Sequence, residues 1–175
     1  MRWTCRANDP RGKWRGVRRS RSANWSRRLS YAVRSVRPAD RPRWEPLWAG
    51  YQRRYKVDLP PDVTDLTWRR FFDGLESVHA LVAEDGDTLI GMVHYLFHRS
   101  TWMIGQTCYL QDLFTLEQSR GRGVAGALIG AVYRSAAQAG AARVYWNVHE
   151  TNATARALYD RIATRSGFIQ YRKDL

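Results

Sequence analysis

The sequence predicts a mixed α/β or α+β domain, and three features of its 175 residues carry that prediction. Residues 78–84 and 88–98 read as strands joined across Glu84-Asp85-Gly86-Asp87, a hairpin signal. Residues 108–115 read as a further strand that enters a helix through a glycine-rich turn. The strand, helix, strand, helix order that follows requires a crossover between parallel strands.

Each element has a local cause. Tyr31-Ala-Val-Arg-Ser-Val36 alternates apolar and polar residues as a half-buried strand does. Asp40 is positioned to cap a helix carrying Trp44, Leu47, Trp48, Tyr51 and Tyr55 at spacings of three and four. Pro60-Pro61 breaks the chain before a second helix over roughly 64–73, with Leu66, Trp68, Arg69 and Phe72. After the hairpin and the 108–115 strand comes a helix over about 122–139. Val124, Leu128, Val132 and Ala136 form its buried stripe and Gly140 ends it. A strand over 142–148, a helix over about 152–163 and a last strand near 168–172 complete the chain.

One domain is the default at this length, with chain enough for a sizeable core. Apolar residues make up 44%, in short runs well below the ~20 that a membrane span requires, so no membrane partner is expected. Cys5 and Cys108 form no disulfide framework or metal spacing, which suits the reducing cytoplasm. The net charge of +13 is uneven: residues 1–30 hold ten Arg and Lys against Asp9, and residues 31–175 hold nineteen against fifteen acids. That first segment has almost no aliphatic side chains and no periodicity, so the expected organisation is a basic, disordered leader (1–30) and a globular domain (31–175). With Trp3, Trp14 and Trp25 the leader fits a nucleic-acid or acidic-lipid arm, a transit peptide, or a leader with no fold of its own.

The chemistry concentrates in Ser119-Arg-Gly-Arg-Gly-Val-Ala-Gly-Ala-Leu128. The first N–H groups of a helix lack internal partners and its dipole is positive there. Gly121, Gly123 and Gly126 let an anion approach the backbone closely, and Arg120 and Arg122 add charged donors. The result is an anion site suited to a pyrophosphate. It lacks the Gly-Lys-Ser/Thr of a P-loop, and the acidic residue expected ~20 positions after a dinucleotide fingerprint falls on helix and Gly140.

These residues carry a resemblance. Arg120-x-x-Gly123-x-Ala125 matches the Q/R-x-x-G-x-G/A signature of the GNAT superfamily of N-acetyltransferases. Tyr109-Leu-Gln-Asp-Leu-Phe114 resembles its fourth strand, Asn152-Ala-Thr-Ala155-Arg-Ala-Leu158-Tyr159 its N-x-x-A-x-x-L-Y helix, and Ser166-Gly-Phe168 its closing strand. The match spans roughly 31–175 and is nearest the histone- and polyamine-type branch. It implies a mixed, mostly antiparallel sheet whose fourth and fifth strands, a parallel pair, splay apart around acetyl-CoA. Leu113, Phe114 and Thr115 would pair with the pantetheine arm. The amides of Arg122, Gly123, Val124, Ala125 and Gly126, with Arg120 and Gly121, would hold the pyrophosphate. Asn152, Ala155 and Tyr159 would stand near the thioester.

The implied catalytic set is Tyr159 as acid, Asn152 as a thioester contact and Asp112 as base, transferring acetyl directly to a primary amine on a small molecule or a protein lysine, with no metal. Relatives often carry Glu-Asp where this chain has Gln111-Asp112, and Gln accepts no proton; His94, His149, Glu150 or a water chain are the alternatives to Asp112. Asn152 also fits a plain helix cap and Tyr159 a core aromatic. Trp68, Phe71 and Phe72 fit either a core or an acceptor pocket, and Asp58, Asp62 and Asp65 would favour a cationic acceptor such as a polyamine. A sensor that binds acetyl-CoA without turnover, and a nucleic-acid-associated protein acting through residues 1–30, are the competing functions; a homodimer is left open.

Overall fold

A computed structural model describes residues 30–174; the expected leader therefore lies outside the described residues apart from Ser30. Five strands form one sheet in sequence order: β1 (Ala32–Ser35), β2 (Val78–Asp85), β3 (Thr88–His98), β4 (Thr107–Thr115) and β5 (Arg143–Tyr145). The first four are antiparallel neighbours, and β4 and β5 are parallel. Helices α1 (Arg41–Tyr55) and α2 (Pro61–Arg70) precede β2, α3 (Val124–Gln138) crosses from β4 to β5, and α4 (Ala153–Ile162) follows β5.

The sheet is covered on both faces. Trp44, Leu47, Trp48 and Trp68 from α1 and α2 pack on Val82, Leu89 and Met92. Val124, Leu128, Ile129, Val132 and Ala136 from α3 pack on Leu81, Val93, Tyr95 and Leu110. The 3.6-residue stripe expected for 122–139 is thus the buried face of α3. Trp68 belongs to the first core, tilted against Trp44 with ring centroids 4.8 Å apart. Phe72 is exposed.

Some expectations shift. α2 begins at Pro61, because a proline in the first turn forfeits only an N–H that has no helical partner. Asp40 does precede α1, but its side chain makes no cap bond. It is 1% exposed and accepts instead from the Arg37 backbone N–H at 2.8 Å and from the guanidiniums of Arg34 and Arg43. Arg34 also reaches Glu84 with two bonds of 2.6 Å, tying β1, the start of α1 and β2 together.

The strand expected near 168–172 is not formed. Gly167 turns the chain at φ 79°, and β5 ends at Tyr145, so the tail has no ladder to join. Phe168, Ile169 and Tyr171 are 81%, 74% and 88% exposed. Among the described residues no helix is long and apolar enough to cross a membrane.

The Arg34–Asp40–Glu84 network dictates a pH response. Guanidinium hydrogen bonds hold Asp40 well below the usual carboxylate range and lower Glu84 to about 2. Depressed carboxyl pKa values contribute stability that is complete above the unfolded values and is lost as pH falls through the folded ones. Urea unfolding midpoints should therefore drop steeply between about pH 4.5 and 2. Asp40→Asn should cost about 3 kcal/mol at neutral pH and flatten that dependence.

Candidate active site

β4 is bonded along its whole length to β3 but meets β5 through only Thr107↔Arg143, Cys108↔Val144 and Tyr109↔Tyr145. Beyond those pairs the two strands part, and the outer edge of β4 from Leu110 to Thr115 has no strand partner among the described residues. At the end of that edge the chain turns through Gly121 (φ 76°) and Gly123 (φ 81°) into α3. Left-handed backbone at both positions favours glycine. Arg120 N–H donates to Glu117 O and Ala127 N–H to Gly123 O, yet none of the amides from 121 to 126 donates a backbone bond among the described residues. A turn of undonated N–H groups thus lies next to an unpaired strand edge at the positive end of α3.

The arginines of the turn behave differently from one another. Arg122 is expected to face an anion, but its guanidinium bonds Asp85 Oδ2 and Ser30 Oγ, each at 2.6 Å, while its carbonyl accepts from the Tyr31 hydroxyl at 3.3 Å. Its side chain holds the turn to Asp85 at the end of β2 and to Ser30 just before β1, which leaves its amide for the turn. Arg120 remains by the turn, paired with Glu117 at 3.0 Å.

The α1 side of the splay holds a buried polar pair. The register of β3 and β4 shifts between His94 and Tyr95: His94 faces Asp112 and Tyr95 faces Leu110, leaving Gln111 as the extra residue of a bulge. Without it Asp112 would share the α3 face with Leu110, since residues two apart on a strand share a face. With it, Asp112 lies beneath α1 and bonds His94 Nδ1 at 3.0 Å. The Trp44 indole N–H donates to His94 Nε2, also at 3.0 Å. An indole only donates, so Nε2 carries the lone pair and Nδ1–H donates to Asp112. Tyr51 faces the same carboxylate, and its phenol is pushed up by burial first and then by the charge of Asp112. Further along the same face, Tyr109 stacks on Tyr145 with centroids 4.9 Å apart, and the Asn147 amide donates to Tyr109 Oη.

On the α4 side, Tyr159 packs edge-on against Trp146 with centroids 5.2 Å apart. Burial raises its phenol to about 12, with Tyr55 adding to the rise and Arg54 opposing it. Asn152 caps α4, its Oδ1 accepting the Ala155 N–H at 3.2 Å. His149 and Glu150 are exposed; His149 is bonded to Thr151 at 2.8 Å. Cys108 is a buried free thiol raised to about 11 by that burial, a poor nucleophile near neutral pH. Among the described residues no group of three or more His, Cys, Asp and Glu is placed to hold a metal ion.

Residues 43–163 match the Acetyltransferase (GNAT) family. The chain belongs to that family. It is 33% identical over 144 residues to D-amino-acid N-acetyltransferase HPA3 of Saccharomyces cerevisiae, covering 81% of this chain and 89% of that protein. It is 33% identical over 104 residues to thialysine N-epsilon-acetyltransferase of Caenorhabditis elegans, covering 57% of this chain and 64% of that one. Its fold resembles the structure of AAC(6')-Iy in complex with the bisubstrate analog CoA-S-monomethyl-acetylneamine, with a TM-score of 0.71 at 18% identity over 83% of this chain and 99% of that one. The protein is an N-acetyltransferase with a mixed five-stranded sheet flanked by four helices.

Sequence reasoning missed two residues of this candidate site. Trp44 reads as core and is core, yet its N–H also orients His94. Gly50 goes unremarked in the sequence, but a Cβ there would lie 2.7 Å from the Phe114 ring, so glycine is what lets α1 press on the end of β4. A glycine within an apolar helical stripe was the available signal. Nitrogen-15 spectra at pH 7.5 should show His94 protonated at Nδ1 and bare at Nε2; Trp44→Phe should shift the Nε2 signal by removing its donor, while Nδ1, still facing Asp112, keeps its proton. Gly50→Ala should weaken cosubstrate binding by displacing Phe114.

Proposed function

We propose that this protein transfers the acetyl group of acetyl-CoA directly to the primary amine of a small molecule. The observation that carries the proposal is the run of undonated amides from 121 to 126 beside the unpaired edge of β4. The two fit different parts of one cosubstrate: N–H groups at a helix start suit a pyrophosphate, and an open strand edge suits the amides of a pantetheine arm. Leu113, Phe114 and Thr115 line the edge; Gly121, Arg122 (by its amide), Gly123, Val124, Ala125 and Gly126 form the cradle, with the Arg120 guanidinium beside it. Bound there, acetyl-CoA supplies an activated thioester. The named acceptors of the two relatives, D-amino acids and thialysine, are small molecules, which favours such an acceptor over a protein lysine.

Chemistry follows from the two sides of the opening. An alkylammonium with pKa near ~10.4 must lose a proton before it attacks. Asp112, oriented by the His94 Nδ1–H beneath α1, receives that proton. Tyr159 stays protonated at neutral pH and donates to the departing sulfur. Asn152 spends Oδ1 on the cap and offers its amide N–H to the same region. Cys108 is too deeply buried to act as a covalent carrier, so the transfer is direct, and its free thiol suits a reducing compartment such as the cytoplasm.

Calorimetric titration of acetyl-CoA should show binding by the wild type and its loss in an Arg120→Glu, Gly123→Asp variant; unaltered binding in the variant would move the site elsewhere. Tyr159→Phe and Asp112→Asn should each lower kcat/KM about a hundredfold while cosubstrate affinity is retained. With Tyr159 raised to about 12, its deprotonation lies outside the working range. The rate should therefore climb with pH towards the acceptor's own pKa, and a Tyr159-linked fall below pH 10 would contradict the assignment.

A further inference from the structure

The end of α1 leaves two guanidiniums without work. Arg53 and Arg54 occupy its last turn, where cations complement the helix dipole, but that role does not specify where their side chains lie. They line a groove of about 570 Å³ together with Gly50, Phe114, Leu116, Glu117, Gln118 and Arg120. Arg120 has Glu117 as a partner; Arg53 and Arg54 form no ion pair among the described residues.

The groove borders the cosubstrate edge at Phe114 and Arg120 and extends along the last turn of α1. Gly50, Arg53 and Arg54 are on α1, and Phe114 packs against that helix in the first core. This is the face on which the bulge at Gln111 places Asp112, opposite the face covered by α3. Tyr51, which faces Asp112, precedes Arg54 by three residues, a rise of about 4.5 Å along the helix. The residue that faces the carboxylate and the guanidinium that draws an anion therefore stand about one helical turn apart on α1, on the same side of the sheet.

We propose that Arg53 and Arg54 receive the carboxylate of the acceptor, so that the molecule acetylated is an amino acid or another amine carrying an acidic group a few bonds away. This deepens the transfer reading and rests on it. The ammonium faces Asp112 and Tyr51 while the carboxylate takes charge-assisted hydrogen bonds from α1. Asp58 and Asp62 are exposed beyond the end of α1 and Asp65 is paired with Arg41, so the acids once expected to attract a polyamine do not line this groove.

The test compares acceptors that differ only in the acidic group: alanine with ethylamine, and lysine with cadaverine, scored by thiol release from acetyl-CoA. The wild type should prefer each amino acid by about ten- to a hundredfold in kcat/KM. Arg53→Ala combined with Arg54→Ala should bring that ratio close to one, and Arg54→Lys should restore part of it. Acetyl-CoA affinity, measured in parallel by calorimetry, should hold in the double variant. Equal use of both acceptors by the wild type overturns the proposal. So does a double variant that weakens acetyl-CoA binding while keeping the preference, since the arginines would then serve the cosubstrate's phosphates. If the wild type acetylates no amine at all, the transfer reading falls instead. Titrating alanine into wild type and double variant then decides the anion site: binding lost in the variant supports it, and equal or absent binding overturns it.

Discussion

β4 has a full partner on one side and a brief one on the other, and the placement of the site depends on that asymmetry. Backbone N–H and C=O groups along a strand edge need hydrogen-bond partners. β5 supplies them through three residue pairs and then departs. The remaining edge is available to a ligand with peptide-like groups of its own. The glycine turn that follows adds amides that the start of α3 leaves undonated. On the far side of that interruption α4 carries Tyr159, packed edge-on against Trp146.

The rest of the molecule keeps this opening in register. α1 is held at its start by Asp40 and the arginines around it, and at its far end it presses on Phe114 through the space that Gly50 leaves. Its middle delivers Trp44 and Tyr51 to the His94–Asp112 pair. One helix therefore contributes to the first core, orients the imidazole beside the proposed base and lines the groove with its last turn. The buried carboxylate of Asp112 is tolerable because a donor N–H of His94 faces it.

Much of this was legible in the sequence because it depends on local chemistry. The 84–87 turn, the apolar stripe of α3 and the glycines at 121 and 123 each have a cause confined to a few neighbouring residues, and β2, β3, β4 and α3 lie within about two residues of their expected bounds. What escaped depends on contacts distant in sequence. The bulge at Gln111 has no signature in composition, yet it decides which face Asp112 occupies. Arg122 reads as an anion ligand because Asp85, 37 positions away, is not visible as its partner in sequence. Asp40 reads as a cap because Arg34 and Arg43 are not visible as its sinks. The strand over 168–172 has the right residue types, but strand formation needs an edge to join, and β5 ends too early to offer one.

The central claim is that one ligand occupies both the open edge of β4 and the turn that follows it. Amide hydrogen exchange with and without acetyl-CoA tests it at residue level. Protection should appear together over 113–115 and 121–126, two segments that share no backbone bond in the free protein, while β2 and the exposed 168–172 tail stay unchanged. Protection confined to one of the two segments, or centred elsewhere, would contradict the account.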